Sequence, residues 1–236
     1  MPYVLAFDTA MAGCSVCVLD TETDAVITDT RLMMRGQSEL LVPMIDDAIK
    51  LAGVTFQDLA LIVTTVGPGA FTGLRIGLSA ARSFGLALDI PVVGVTTTEI
   101  LAEQFFNNNS DKRGDLLILL ETKRTDLYFQ PYDSTGKPRA GAGVASIETL
   151  LVEFADQTLT LCGDGVERLR STLESDNIVW PAGWGIANGY DMPDPLVMAK
   201  LGFAQHAAGT AKPADPVYLR GADVSISNRP QRTIAE

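Results

Sequence analysis

Apolar positions along the chain fall into short blocks separated by polar or glycine-rich breaks, and the period of the blocks changes from one to the next. Tyr3 to Thr9 is an apolar run ending in Asp8-Thr9, and after the small-residue turn Ala10 to Gly13 a second run covers Ser15 to Leu19. Both have the length of buried strands. The polar turn Thr21 to Asp24 leads into an alternating stretch, Ala25 to Met33. Three strands with short turns predict an antiparallel meander. The period then becomes helical. Leu40, Leu41, Met44, Ile45, Ala48 and Ile49 recur at i, i+3, i+4 spacing, and Gly53 stands where a helix C-terminus favours glycine. Pro43 removes one helical hydrogen bond if this helix starts at Ser38, so a kink or a late start is expected.

A strand from Leu59 to Val66, a glycine turn, a helix to Leu88, a strand at Val92 and a helix from Thr96 to Phe106 complete the first half. The polar stretch Asn107 to Asp111 divides residues 1–107 from residues 108–236. The order then begins again. Leu116–Glu121, Leu127–Tyr132 and the weaker Arg139–Ala145 read as strands, Ile147–Ala155 as a helix, Leu159–Cys162 as a strand and Val166–Leu173 as a helix. A further helix is expected from Pro195 or Leu196 to Ala208. Asn177 to Asp194 receives no assignment, and Ser225 to Glu236 reads as a frayed polar tail. The order βββαβα thus occurs twice, which predicts an α/β fold of two lobes. That duplicated order resembles the actin, sugar-kinase and chaperone-ATPase superfamily, whose lobes flank a cleft.

The most distinctive stretch is Gly67 to Leu88. Gly67, Pro68 and Gly69 break the preceding strand, and Thr72 is placed to cap the helix that follows. Within that helix Gly73, Gly77, Ala81 and Gly85 fall every fourth residue and so share one face. Three mid-helix glycines cost about 2–3 kcal/mol relative to alanine. Close approach by another backbone offsets such a cost. The approaching backbone belongs either to the chain's own sheet or to a partner's helix.

Composition narrows the function. Hydrophobic residues make up 47% of the 236 and charged residues 20%, as in globular domains. Eighteen basic residues against twenty-nine acidic ones leave a net charge of −11. Such a chain is poorly suited to holding a phosphate backbone alone, so any nucleic-acid work calls for a basic partner. The first ten residues lack a cationic signal-peptide region, and no apolar run approaches the roughly 20 residues that span a bilayer. Three cysteines suit a reducing cytoplasm. Cys14 and Cys17 fall on one strand, where residues three apart face opposite sides and do not share a metal.

Candidate chemistry is sparse. Asp8 and Thr9 end the first strand, where a carboxylate can hold a metal-bound phosphate or cap its own turn. Gly67, Gly69 and Thr72 offer backbone N–H groups at a helix N-terminus, yet no lysine follows the glycines and the spacing fits neither phosphate-loop nor dinucleotide signatures. Arg75 suits a phosphate, an acidic partner group or an ordinary surface position. Lys123-Arg124 reads first as a charged hairpin tip. His206 is the only histidine, so a two-histidine metal site within the chain is excluded, and no G-x-S-x-G elbow accompanies any serine.

Taken together these stretches resemble the bacterial TsaB (YeaZ) family. GPGAFTGLRIG, Gly67 to Gly77, is close to that family's GPGSFTGLRIG. LAFDTA at Leu5, QSELLVP at Gln37, ETKRTDLY at Glu121 and PVYLR at Pro216 resemble its other motifs. Gln37 replaces the family's usual histidine, and Glu121-Thr122-Lys123 replaces Asp-Ala-Arg. The resemblance implies a two-lobed fold with a degenerate nucleotide cleft, for which Asp8, Thr9, Gly67, Gly69, Thr72 and Arg75 are the candidate residues. It implies no intrinsic cofactor and no metal, with ATP or ADP entering only in an assembled complex. It further implies a cytoplasmic, non-catalytic subunit that activates the catalytic subunit TsaD, works with the ATPase TsaE, and pairs with itself when alone. The product would be N6-threonylcarbamoyladenosine at position 37 of tRNAs reading ANN codons, with tRNA met only through the complex. The expected interface comprises Glu39, Leu41, Met44, Gly73, Ile76, Gly77, Ala80, Ala81 and Phe84, so the resemblance turns the glycine stripe toward a partner. A free-standing ATP-dependent phosphotransferase, motivated by Asp8 and the glycine turn, is the alternative. A peptidase acting on TsaD, lacking metal ligands and triad, is the third reading.

Overall fold

The structure is a computed structural model that describes residues 3–109 and 114–220. The expected tail at Ser225–Glu236 lies outside the described residues, as do residues 110–113 of the linker region.

The first sheet begins with the meander β1 (Tyr3–Asp8), β2 (Gly13–Asp20) and β3 (Val26–Leu32). After helix α1 (Gln37–Leu51) and a 3₁₀ turn at Phe56–Asp58 come β4 (Leu59–Thr65), α2 (Phe71–Leu88), β5 (Val92–Val95) and α3 (Thr97–Asn108). The second sheet repeats the order: β6 (Asp115–Glu121), β7 (Asp126–Tyr132), β8 (Gly143–Ser146), α4 (Ile147–Phe154), β9 (Leu159–Cys162) and α5 (Val166–Ser175). The last elements are β10 (Trp184–Ile186), α6 (Pro195–Ala207) and β11 (Lys212–Pro213). The sheets run β11-β5-β4-β1-β2-β3 and β10-β9-β6-β7-β8. In each, the first two hairpin partners are antiparallel and the strand after the helix joins the first in parallel. The duplicated two-lobed fold of the actin-like, sugar-kinase and chaperone-ATPase group is therefore present, with its two βββαβα units as expected.

Alternation on the strands decides what each face meets. Leu5, Phe7, Val16 and Val18 point to a core closed by Leu41, Met44, Ile45 and Ala48 of α1 and by Ala81 of α2. Val4, Ala6, Cys17 and Leu19 point to the opposite face, where Met198 and Ala199 of α6 cover them. This amends the expectation that everything after residue 107 belongs to the second lobe. Helix α6 returns to the first sheet, and β11 pairs with the edge strand β5. Gly202 fits there because a Cβ would lie 2.5 Å from a Val63 methyl. Helix α3 joins the lobes: Ile100 belongs to the α6-side core, whereas Leu101 and Phe105 pack with Leu116, Ile118 and Tyr132 of the second sheet.

Three local expectations change. Helix α1 starts at Gln37 after Gly36 at φ 96 and runs through Pro43, so there is no late start. Helix α2 is preceded by Ala70 rather than capped by Thr72, which makes no side-chain cap. The unassigned stretch holds β10, paired in parallel with β9, and its Trp184 indole donates to the Phe154 carbonyl at 3.0 Å.

Candidate functional site

The end of β1 and the glycine turn are brought together, as the sequence suggested, and pack against each other while Gly69, Thr72 and Arg75 line an open cleft. Asp8 is fully buried. Its Oδ1 accepts from the Ala10 backbone N–H at 2.9 Å and from the Thr65 hydroxyl. Its Oδ2 is buried and has no hydrogen-bond partner among the described residues, and burial pushes the carboxyl above its usual range, against the hydrogen bonds from Thr65 and the Ala10 backbone. Thr9 donates its hydroxyl to the Gly73 carbonyl at 2.7 Å. In return the Ala70 N–H at the start of α2 donates to the Ala10 carbonyl at 2.7 Å. The hairpin tip after β1 thus packs directly on the start of α2. Gly69 permits this, since a Cβ there would lie 2.6 Å from the Ala10 carbonyl oxygen. Gly67 takes φ 105 ahead of a cis peptide bond to Pro68, and its carbonyl accepts from Thr97.

The glycine stripe faces inward. A Cβ on Gly73 would meet the Thr9 carbonyl oxygen at 1.9 Å, one on Gly77 the Thr9 hydroxyl at 2.9 Å, and one on Gly85 a Val92 methyl at 2.3 Å. Ala81 is fully buried in the chain's own core. The stripe lets α2 lie close on β1, β4 and β5. Its assignment to a partner interface is corrected on that ground for Gly73, Gly77 and Ala81. Met44 is likewise inside the chain's own core, Phe84 stacks on Phe56 at 5.5 Å, and Glu39 is exposed but outside the interhelical groove.

The opposite side of α2 has the properties sought in the stripe. Between α1 and α2 runs an open groove of about 510 Å³, lined by Leu41, Ile76 and Ala80 of the expected interface, by Thr72 and Arg75, which the sequence offered for the cleft, and by Ser38, Val42, Phe71 and Ser79, which sequence reasoning left out. Val42 is 51% exposed and Phe71 48%. The signal on α2 was the polar set Arg75, Ser79 and Arg82, which marks the face opposite the stripe.

A second, larger cleft of about 800 Å³ separates the lobes. Its first wall is the α2 N-terminus with Arg35, Gln37 and Arg75. Its second is the β6–β7 hairpin, Glu121 to Arg124, with Tyr128, and Val217 to Arg220 closes one end. Lys123 and Arg124 therefore face the cleft. Arg168 braces their hairpin by pairing with Glu121 at 2.7 Å and donating to the carbonyls of Arg124 and Asp126. Arg75 lies 3.7 Å over the Phe71 ring and donates to the Tyr218 hydroxyl at 3.3 Å. Arg82 anchors the closing segment through Asp215 and the Ala214 carbonyl, each at 2.7 Å. In the second lobe Asp164, at the end of β9, accepts from the Glu121 N–H at 2.9 Å. Burial first, then Glu121 and Asp191, push its carboxyl to about 6. No group of three or more metal-ligating side chains is present among the described residues, nor a helix long and apolar enough to cross a membrane.

Comparison with known proteins adds to this geometry. The family model described as "TsaD: tRNA N6-adenosine threonylcarbamoyltransferase" matches residues 31–169. The Escherichia coli K12 protein named tRNA threonylcarbamoyladenosine biosynthesis protein TsaB is 27% identical over 228 residues, 92% of this chain and 94% of that one. A TsaB protein of Buchnera aphidicola subsp. Baizongia pistaciae is 33% identical over 130 residues, which cover 55% of this chain and 57% of the relative. The solved structure of YeaZ from Pseudomonas aeruginosa superposes with a TM-score of 0.75 at 23% identity, covering 93% of this chain and all of that one, and shows the same fold. Matched over more than half of its length, the chain belongs to the family that this model describes, and the TsaB relatives place it with the TsaB (YeaZ) members.

Proposed function

We propose that this chain takes part in making N6-threonylcarbamoyladenosine on tRNA as a non-catalytic subunit that docks on and activates a TsaD-type catalytic subunit. The observation that carries this reading is the apolar groove between α1 and α2. It presents Leu41, Val42, Ile76 and Ala80 on a two-helix platform, whereas Asp8 at the end of β1 is enclosed by the chain's own packing. An exposed apolar seam rimmed by Ser38, Arg75 and Ser79 has the anatomy of a helix–helix docking face. The homologues' names support the pathway, and the groove supports the role.

The same observations weigh against a free-standing phosphotransferase. Asp8 has no route to a metal-bound phosphate while its carboxyl is enclosed and the Ala70 N–H is already spent on Ala10. The test is reconstitution. TsaD-type and TsaE-type subunits, tRNA, threonine, bicarbonate and ATP are combined with and without this chain, and modified adenosine is measured. The reading expects modification to depend on the chain, and to be lost when Val42→Glu and Ala80→Glu fill the groove with charge. Modification that proceeds equally well without the chain would remove the proposal.

A further inference from the structure

The cleft between the lobes carries a charge opposite to that of the chain as a whole. Net charge is −11, yet Arg35, Arg75, Lys123, Arg124 and Arg220 all line this one concavity, and among the described residues Glu121 is the only acid lining it. Glu121 is itself paired with Arg168, and Arg220 is paired with Asp126 outside the lining. Arg35, Arg75 and Lys123 therefore set the sign of the cleft. A concave basic surface in an otherwise acidic protein focuses the field and directs an anion to one place.

Aromatic rings stand among these cations. Phe71 and Tyr218 lie 5.3 Å apart and are 48% and 44% exposed, and Tyr128 lines the opposite wall. Cations alone would serve an acidic peptide as well as a phosphate. Cations interleaved with exposed ring faces and an Arg plane fit phosphates that carry bases, because unstacked bases lie on such surfaces. The floor limits how deep the ligand reaches. Beneath it Thr9 donates to the Gly73 carbonyl and Ala10 accepts from the Ala70 N–H, so the phosphates are held at the rim.

We infer that this cleft contacts a single-stranded segment of RNA in the assembled complex, with Arg35 and Lys123 at phosphates and Phe71 and Tyr218 offered to a base. The inference rests on the proposed role in tRNA modification and adds a contact that the chain itself makes.

The experiment uses the reconstituted complex of this chain with its catalytic subunit. Binding of a fluorescent anticodon stem-loop is followed by anisotropy across a salt series for wild type and for Arg35→Gln with Lys123→Gln. Both side chains are exposed, so folding is not at stake. Affinity for the RNA should fall on the order of tenfold, and the salt slope should shrink by roughly 1.4, about 0.7 for each single-strand phosphate no longer neutralised. ATP affinity and subunit affinity, measured in parallel, should stay at the wild-type values. Unchanged RNA affinity and slope would overturn the inference. So would a loss confined to subunit affinity, which would assign the cleft to an acidic protein segment, or one confined to ATP, which would make it a free-nucleotide site. A wild-type complex that makes no modified adenosine would instead count against the proposed function, so the two failures are distinguishable.

Discussion

The two faces of α2 are built from the same eighteen residues and do opposite things. On the inner face Gly73, Gly77, Ala81 and Gly85 let backbone approach backbone, with no space left for even one added carbon at Gly73. On the outer face Arg75, Ile76, Ser79 and Ala80 border a groove that is open to solvent. The difference teaches that a stripe of small residues marks close packing without saying which neighbour is close. In this chain the neighbour is the sheet, and the mixed apolar and polar side is the one left open to solvent.

Substitutions that exchange the demands of the two faces should separate these roles, and the largest effect is expected inside. Gly73→Ala sets a Cβ 1.9 Å from the Thr9 carbonyl oxygen, a backbone atom that cannot move without displacing the β1 hairpin. A loss of about 3 kcal/mol or more in denaturant unfolding is expected, at the upper end of overpacking costs. A near-wild-type unfolding midpoint would mean that the stripe is not packed as described. Gly77→Leu belongs to the same class, since it must displace the Thr9 and Thr64 hydroxyls at 2.9 and 3.4 Å. It should unfold the monomer more readily rather than merely block assembly.

On the outer face the order of effects reverses. Val42→Glu is expected to change monomer stability by no more than about 0.5 kcal/mol, because the side chain is half exposed. Its effect should appear in subunit affinity, with a loss on the order of a hundredfold, or about 2.7 kcal/mol, for a charge buried at a docking seam.

The smallest effects concern the two enclosed carboxyls, which report how tightly each lobe seals its strand end. Asp8 and Asp164 are both raised above their ordinary range by burial. A raised folded-state pKa means that the folded protein binds more protons than the unfolded chain, so each group's stabilisation is complete at low pH and is lost as pH rises through the folded value. For Asp164 the window runs from its unfolded value of about 4 up to about 6. Asp164→Asn should flatten the fall of the thermal midpoint as pH rises across that window. Asp8→Asn should raise the midpoint at neutral pH, with its new N–H₂ on the same side of the β1–β2 pair as Ser15, whose buried hydroxyl also has no partner among the described residues. A midpoint lowered at pH 7 by Asp8→Asn would show that the carboxylate is stabilised by charge after all.

Much of the fold was legible because periodicity and turn chemistry agree. Leu59 to Thr65 is apolar enough to be a strand anywhere, and Gly67-Pro68-Gly69 stops it. What stayed hidden depends on pairing rather than on local sequence. Trp184–Ile186 is a strand of three residues that exists only beside β9, and Lys212–Pro213 is one of two beside β5. Helix α6 could not be placed by order alone, because its apolar positions fit either lobe until Gly202 is seen against Val63. At the candidate site the proximity of Asp8 to the glycine turn was legible, since both lie at the ends of adjacent parallel strands. That the two fill each other was not, because it follows from the Thr9–Gly73 and Ala70–Ala10 hydrogen bonds. Arg75, Ser79 and Arg82 carried the sign of the outer face in the sequence, a weaker signal than four small residues in register.

The most direct test of the central claim is calorimetric titration of the Val42→Glu, Ala80→Glu protein into the catalytic subunit, on material whose thermal midpoint matches wild type. The outer-face account predicts that binding heat is lost or that affinity drops at least a hundredfold. Wild-type affinity in the folded double variant would contradict it.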